Sequence, residues 1–216
     1  IGAWEKETGK HATVALSTTK DVQDAILKDK KRSALVDIID IRYWHYKSDG
    51  TTYAPEGGKN LAPRQHARQM KVGKVTFNEA YKAVSEYREK YPEKAVTFYA
   101  QNYPDMAWAV FMAGGSLPVL PEINDPSFLN DAAKMHVEKT GTDGYYKLEK
   151  TGLGVIVYSQ SKENFALPLA AGTYSLKQID QKSGKVTTLV KKLKGGDSYQ
   201  FKGNSNAPSV YWFKAL

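Results

Sequence analysis

The feature that most constrains the fold is a change of pattern along the chain. Before Pro118, short segments rich in β-branched and aromatic residues alternate with segments of helical periodicity. Strands that alternate with helical crossovers are typical of a parallel sheet. From Tyr145 onward, short apolar segments are separated by turn residues, which is typical of an antiparallel β-sandwich. The sequence therefore predicts an α/β part followed by an all-β part.

The first part contains three predicted strands, and each is followed by a region of helical pattern. Two of these helices begin with capping patterns, Thr18 with Asp21 for a helix over Asp21–Val36, and Thr76 with Glu79 for the next helix. A third helix, Met106–Ala113, is apolar on every side and is predicted to be buried. Because three parallel strands alone would leave an open edge, this part is predicted to belong to a larger sheet or barrel. The three predicted strands are His11–Ser17, Asp37–Tyr46 and Ala95–Ala100.

The second part begins with a short predicted helix from Asn124 to about His136. Seven short strands at spacings of 8–12 residues then predict the sandwich. In the last strand, alternation sends Trp212 to one face and Tyr211 and Phe213 to the other. The predicted strands are YYKLEK, GVIVYS, NFALPL, TYSLKQID, KVTTLV, SYQFK and SVYWFKAL.

The strand DIIDIRYWHY, residues Asp37–Tyr46, is the most informative stretch for function. Alternation places Asp40, Arg42 and Trp44 on one face. An ordinary half-buried strand does not set an Asp and an Arg beside a Trp, whereas polar groups do gather at the carboxyl ends of strands in α/β folds. Two interpretations stay open: a ligand site, or a buried Asp40–Arg42 ion pair covered by a solvated loop.

The loop that follows, residues 51–66, is crowded with hydrogen-bonding side chains. Gly57 and Gly58 permit tight backbone within it. So many polar side chains after a strand end favour a site over a simple connection. The side chains are those of Glu56, Lys59, Asn60, Arg64, Gln65 and His66.

Composition excludes several classes of function. The formal net charge of +8 arises from 31 Lys and Arg against 23 Asp and Glu, but the basic residues are scattered and do not interleave with aromatics, so no nucleic-acid partner is predicted. No apolar run approaches the roughly 20 residues of a membrane span. Without cysteine there are no disulfides, and the widely spaced histidines indicate no metal site, so no cofactor is predicted.

Three longer motifs carry a resemblance to a known family. They are AAGTYSLKQIDQKSGKVTTL, MAWAVFMAGGSLPVLP, and DIRYWHY together with YAPEGGKNLAPRQ. With these the chain resembles the carboxyl-terminal portion of bacterial glycoside-hydrolase-like proteins. Those proteins have a (β/α)8 barrel followed by a small β-sandwich that is known as a collagen-binding domain of a collagenase.

The resemblance implies an architecture and a setting. Residues 1–140 would be the last three β/α units of the barrel, and residues 142–216 the sandwich. The protein would be secreted, periplasmic or on the cell surface, although no signal peptide is visible at Ile1–Lys10. The partner would be a polysaccharide or oligosaccharide. The barrel would be completed by its upstream part or by self-association through the open edge.

The resemblance also implies an activity, glycoside hydrolysis, with a non-catalytic glycan-binding or matrix-binding module as the alternative. Glu56 lies in the loop where relatives place the nucleophile, and Asp40 is the competing catalytic carboxylate. The other catalytic carboxylate would come from the upstream part, so the chain alone is not expected to hydrolyse glycosides. The residues expected to bind substrate are Arg42, Tyr43, Trp44, His45, Lys59, Asn60, Arg64, Asn102 and Tyr103.

Overall fold

The computed structural model describes residues 1–53, 75–100, 103–138, 144–160, 164–201 and 208–216. The chain divides into two compact units, Ile1–Val119 and Leu120–Leu216. The first mixes helices with parallel strands and the second is mostly β, so the chain is of mixed α/β class. The predicted boundary near residue 141 lies inside the second unit. Within the described ranges, every helix is too short or too polar to cross a membrane.

The first unit is built around a three-stranded sheet of order β1 (Ala15–Leu16), β2 (Ile38–Ile41) and β5 (Ala95–Phe98), in which both pairs are parallel. The predicted parallel pairing is thereby confirmed. The helices of this unit are α1 (Gly2–Thr8), α2 (Lys20–Lys28), α3 (Lys30–Ser33), α4 (Phe77–Lys90) and α5 (Ala107–Met112), with a 3-10 helix at Tyr103–Met106. Its strands are β1 (Ala15–Leu16), β2 (Ile38–Ile41), β3 (His45–Tyr46), β4 (Thr52–Tyr53) and β5 (Ala95–Phe98).

One face of this sheet carries the apolar core of the first unit. Ile39 and Ile41 of β2 lie on that face and have no exposed surface. They belong to the same cluster as Val84 and Tyr87 of α4. Because side chains alternate along a strand, Asp40 lies on the opposite face. Burial of one face against helices thus leaves the other face of β2 for polar groups.

Helix starts were predicted with mixed success. At α4 the predicted capping box is confirmed, since Thr76 accepts from the backbone N–H of Glu79, whose side chain accepts from the N–H of Thr76 at 2.8 Å. At α2 the predicted cap is wrong. Thr19 rather than Thr18 is the N-cap residue, and its hydroxyl donates to Asp21 instead of capping the backbone.

The predicted helix over residues 21–36 is interrupted. Asp29 has extended backbone and its side chain accepts from the N–H groups of Lys31 and Arg32. It therefore ends α2 and caps the short helix α3. An Asp competes with the backbone for hydrogen bonds in this way, which is why it favours caps over helix interiors.

The predicted strand Asp37–Tyr46 is also interrupted. β2 ends at Ile41, and the chain then forms a separate antiparallel pair of β3 with β4. The alternation that grouped Trp44 with Asp40 and Arg42 consequently does not extend to Trp44, whose side chain is fully buried in the core of the unit.

The second unit contains the seven predicted strands, and their presence is confirmed. It also contains a strand that was not predicted, β6 (His136–Glu138). This strand has room to form because the helix expected to reach His136 ends at Ala132. A six-stranded antiparallel sheet has the order β11–β10–β13–β8–β7–β6, and β12 pairs with β9. The elements are α6 (Ser127–Ala132), β6 (His136–Glu138), β7 (Tyr145–Lys150), β8 (Gly154–Ser159), β9 (Phe165–Pro168), β10 (Thr173–Ile179), β11 (Val186–Lys194), β12 (Ser198–Phe201) and β13 (Ser209–Ala215).

Strand β13 separates two buried environments. Tyr211 and Phe213 pack in a cluster that takes residues from both the six-stranded and the two-stranded sheet. Trp212 points to the other face, where its ring meets Phe128 of α6 edge-on at 5.3 Å. All three aromatic side chains are buried, and the predicted division of Trp212 from Tyr211 and Phe213 is confirmed.

Candidate functional site

Polar side chains meet where β2 and β5 end. Asp40 of β2 stands in register with Thr97 of β5, and the Thr97 hydroxyl donates to Asp40 Oδ1 at 3.0 Å. Nε of Arg42 donates to the other carboxylate oxygen, Oδ2, at 2.8 Å. The Arg42 guanidinium carbon lies 5.2 Å from the centre of the Tyr99 ring. These four residues form the candidate site.

Burial differs sharply between the two charged partners. The side chain of Asp40 is 7% exposed, whereas that of Arg42 is 48% exposed. Asp40 is thus held inside the fold with both carboxylate oxygens engaged. Arg42 reaches solvent while its Nε is fixed, and an arginine held by one nitrogen keeps further N–H donors for a ligand. This arrangement can present an oriented cation to hydroxyl or carboxylate groups.

A buried glutamine supports the backbone under the site. Gln23 of α2 has no exposed surface, and its Nε2 donates to the carbonyl oxygens of Leu16 at 2.8 Å and Asp40 at 3.0 Å. It therefore ties the ends of β1 and β2 together. Sequence reasoning missed it; the available signal was a polar residue at the position four before buried Leu27, on the apolar side of α2.

Three neighbouring residues expected to bind substrate follow β2 in the chain. Trp44 has no exposed surface and donates from Nε1 to Gln23. His45 is 4% exposed, donates from Nδ1 to the carbonyl of Tyr46 at 2.8 Å and stacks on Tyr53. Tyr43 is half-buried. In this arrangement Tyr43 is the one of the three with surface to offer to a sugar.

The other residues expected to act in the site fall outside the description. Tyr103 begins the 3-10 helix by its backbone, but its side chain is not among the described groups. The residues that lie outside the described ranges are Glu56, Lys59, Asn60, Arg64 and Asn102.

A second polar cluster joins α2, α4 and β3, and sequence reasoning missed it. Lys20 contacts Asp24 at 2.8 Å and Glu86 at 2.9 Å, and its Nζ lies 5.1 Å from the centre of the Tyr87 ring. The hydroxyl of Tyr46 donates to Glu86, and that of Tyr87 to Asp24 at 2.8 Å. In this cluster each partly buried charge has an opposite charge or a hydroxyl as its partner. The cluster thereby links α2 to α4.

The charges of this cluster follow from its contacts. Burial raises the pKa of Glu86, but hydrogen bonds from Lys90, Tyr46 and Lys20 outweigh burial and lower the pKa to about 2. Burial and the hydrogen bond to Glu86 raise the pKa of Tyr46 above its ordinary value. Glu86 is therefore an ionised structural anchor, not a proton donor. In the described ranges, no three His, Cys, Asp or Glu side chains are grouped as metal ligands.

Comparison with known proteins identifies a family for most of the chain. The profile of a family described as "Domain of unknown function (DUF6298)" matches residues 1–135. That range contains all four residues of the candidate site. No curated protein matches the chain.

Solved structures similar to this chain include glycoside hydrolases. A glycoside hydrolase family 5 structure from Bacteroides vulgatus aligns over 97% of this chain and 57% of its own length, with 12% identity and a TM-score of 0.56. This likeness establishes that the chain folds like part of that protein, and the chain spans little more than half of its length. A second structure, described as "Glycoside hydrolase", covers 87% of this chain at 13% identity with a TM-score of 0.40.

Proposed function

We propose that this chain, which belongs to the DUF6298 family, is the carboxyl-terminal part of a secreted carbohydrate-active enzyme, a glycoside hydrolase acting on polysaccharide. The observation that carries the proposal is the buried Asp40, with the half-exposed Arg42 fixed on it, at the carboxyl end of β2. Sites in parallel α/β folds gather at this end of the strands. The likeness of fold to a family 5 glycoside hydrolase supports the substrate class.

The architecture that we propose is a partial barrel followed by a sandwich. β1, β2 and β5 would be the last three strands of a (β/α)8 barrel, since they are parallel and stand in chain order. The second unit would be a β-sandwich, since residues of its six-stranded and two-stranded sheets share one core cluster. Completion of the barrel would come from upstream β/α units or from a second copy of the chain.

In the proposed mechanism, Glu56 is the nucleophile and a carboxylate from the completed barrel is the general acid. Hydrolysis with retention needs two carboxylates about 5–5.5 Å apart. Asp40 remains the competing nucleophile, but both of its oxygens already accept hydrogen bonds, from Arg42 and Thr97. These contacts favour Asp40 as the residue that positions Arg42, which then donates to a sugar hydroxyl.

The experiment separates binding from turnover. The chain is joined to the upstream units of its barrel, and hydrolysis and binding of a panel of polysaccharides are measured. We expect Glu56→Gln to abolish hydrolysis and to retain binding. Arg42→Ala is expected to weaken binding about tenfold, because it removes charge-assisted hydrogen bonds worth roughly 1.5–3 kcal/mol. Arg32→Ala, which removes a 69% exposed arginine elsewhere, is the matched control.

The same experiment tests the alternative, a non-catalytic module that binds glycan or matrix. The engagement of both Asp40 oxygens favours this alternative, because it leaves no free carboxylate in the described part of the site. Binding that depends on Arg42, with no hydrolysis of any substrate in the joined protein, would establish the module and refute the enzyme. If Arg42→Ala binds polysaccharide as tightly as the wild type, the binding role assigned to Arg42 is refuted for both the enzyme and the module.

A further inference from the structure

Strand β11, Val186–Lys194, is an edge strand. It pairs with β10 on one side and is the terminal strand of the six-stranded sheet. Val190 and Leu193 pack against the core of the second unit and anchor the strand. Most of its other residues are exposed. Apart from the exposed Leu189, β11 therefore presents a long, largely polar edge, and its buried side is anchored in the core.

The exposed side of this edge is strongly basic. Between Gln181 and Gly196 the chain has five lysines and no acidic residue. All five are exposed, and in the described ranges none of their ammonium groups forms an ion pair. By contrast, Lys147 and Lys177 of the same unit contact Glu149 and Asp125 at 2.7 and 2.6 Å. The five residues, here called the lysine strip, are Lys182, Lys185, Lys191, Lys192 and Lys194.

An irregularity in the strand concentrates this charge. Leu193 is paired with Tyr174 and Val190 with Leu176, so Lys191 and Lys192 together stand opposite the single residue Ser175. A bulge of this kind turns the extra side chain away from regular alternation. Both ammonium groups are thus exposed side by side at the edge, instead of one being directed toward the core.

We propose that the lysine strip binds an acidic polysaccharide through the carboxylates of its uronic-acid residues. Nine extended residues span roughly 30 Å, a length that suits a polymer rather than a small anion. Each lysine presents a compact ammonium with three N–H donors, which can bind a carboxylate oxygen from many directions. Thr187 and Thr188 add exposed hydroxyls beside the charges. The choice of a polysaccharide over another polyanion rests on the proposed function.

Composition argues against nucleic acid as the occupant. Residues 181–196 contain no aromatic side chain on which bases could stack. Lysines on an edge strand also oppose pairing with the edge of another molecule. If the lysines only protect the edge, their substitution should cause self-association and should leave polysaccharide binding unchanged. This outcome distinguishes protection from binding.

The test uses polygalacturonate as the probe and the whole chain as the protein. Affinity electrophoresis or calorimetry is expected to detect binding that weakens as salt is raised, because exposed charges are screened. The triple variant Lys191→Gln, Lys192→Gln, Lys194→Gln should bind about tenfold more weakly or worse, as expected for the loss of three exposed ion pairs. The triple variant Lys28→Gln, Lys30→Gln, Lys31→Gln removes the same charge from exposed positions in the first unit and should bind like the wild type.

Several outcomes would overturn the proposal. Equal weakening in both triple variants would mean that net charge alone attracts the polymer. Dextran sulfate or polyphosphate bound as tightly as polygalacturonate would mean a general polyanion effect. Self-association of the β11 variant without loss of binding would mean a protective edge. Failure of the proposed function is distinguishable, since it concerns Arg42 and hydrolysis, whereas this test concerns binding that depends on β11.

Discussion

The indole N–H of Trp44 donates to Oε1 of Gln23 at 2.8 Å, and both side chains are completely buried. The side-chain amide of Gln23 donates its two hydrogens to the carbonyl oxygens of Leu16 and Asp40. One side chain thus satisfies groups on β1, on β2 and beyond the end of β2. The backbone that carries the candidate site depends on this single amide.

We expect Gln23→Leu to destabilise the first unit strongly. The apolar side chain leaves two buried polar groups and one partly buried carbonyl without their partner, and each buried group costs roughly 1–3 kcal/mol. A loss on the order of 3 kcal/mol in the free energy of unfolding is expected from urea titration followed by tryptophan fluorescence. The control is Ala25→Leu, an exposed position of the same helix, where the change should stay within about 0.5 kcal/mol. Equal stability of the two variants would contradict the role assigned to Gln23.

Acid should weaken the polar cluster that links α2 to α4. The pKa of Glu86 is lowered to about 2, so the folded state binds its proton less readily than the unfolded state does. Its contribution is therefore complete above the unfolded value of about 4.5 and is lost as pH falls toward 2. Urea titrations at pH 7 and pH 3 should differ less for Glu86→Gln than for the wild type. Glu7→Gln, at an exposed position of α1, should leave the pH dependence unchanged.

Alkaline pH should loosen the attachment of α1. His11 lies between two carboxylates, 3.2 Å from Asp37 and 2.8 Å from Glu5, and the hydrogen bond with Asp37 is the main cause that raises its pKa. A raised pKa means that the stabilisation is complete below about 6.5 and is lost as pH rises through the folded value. The protection of the Gly2–Thr8 amides, after correction for the intrinsic base-catalysed rise in exchange rate, should fall over that interval. An NMR titration that gave His11 a pKa at or below 6.5 would refute this.

Gly184→Ala should destabilise the second unit. Gly184 has φ of 71°, and a Cβ there would lie 2.0 Å from the carbonyl oxygen of Glu122. Gly152 has a similar φ of 81° with open space around it, so Gly152→Ala measures the backbone cost alone. That cost is roughly 1–2 kcal/mol, and Gly184→Ala should exceed it clearly in thermal unfolding. Equal losses would mean that Glu122 can move away without penalty.

Features that depend on neighbours in the chain could be predicted from the sequence. The capping box of Thr76 and Glu79 involves residues three apart, and the buried helix α5 is visible as an apolar run. The seven strands of the second unit are separated by turn residues that limit their length. The break at Asp29 was missed because its two capping bonds replace a continuation that the helical pattern also allowed.

Only part of the candidate site could be predicted from the sequence. Asp40 and Arg42 are two residues apart on one strand, so alternation placed them together. Thr97 reaches Asp40 across 57 residues of sequence and Gln23 across 17, and those contacts depend on strand order and helix packing. Trp44 was misplaced because β2 ends at Ile41, so strand alternation does not reach its ring, which instead bonds to the distant Gln23.

The complete burial of α5 has a consequence for the order of folding. All six residues of Ala107–Met112 are buried, and Ala109 and Val110 share the core cluster with β2, β5 and α4. A helix this short is not stable alone, since isolated helices under about 12–15 residues are marginal. It can persist only once the strands and α4 supply a surface. We therefore expect its contacts to form after the rate-limiting step, so that substitutions within α5 accelerate unfolding more than they slow folding.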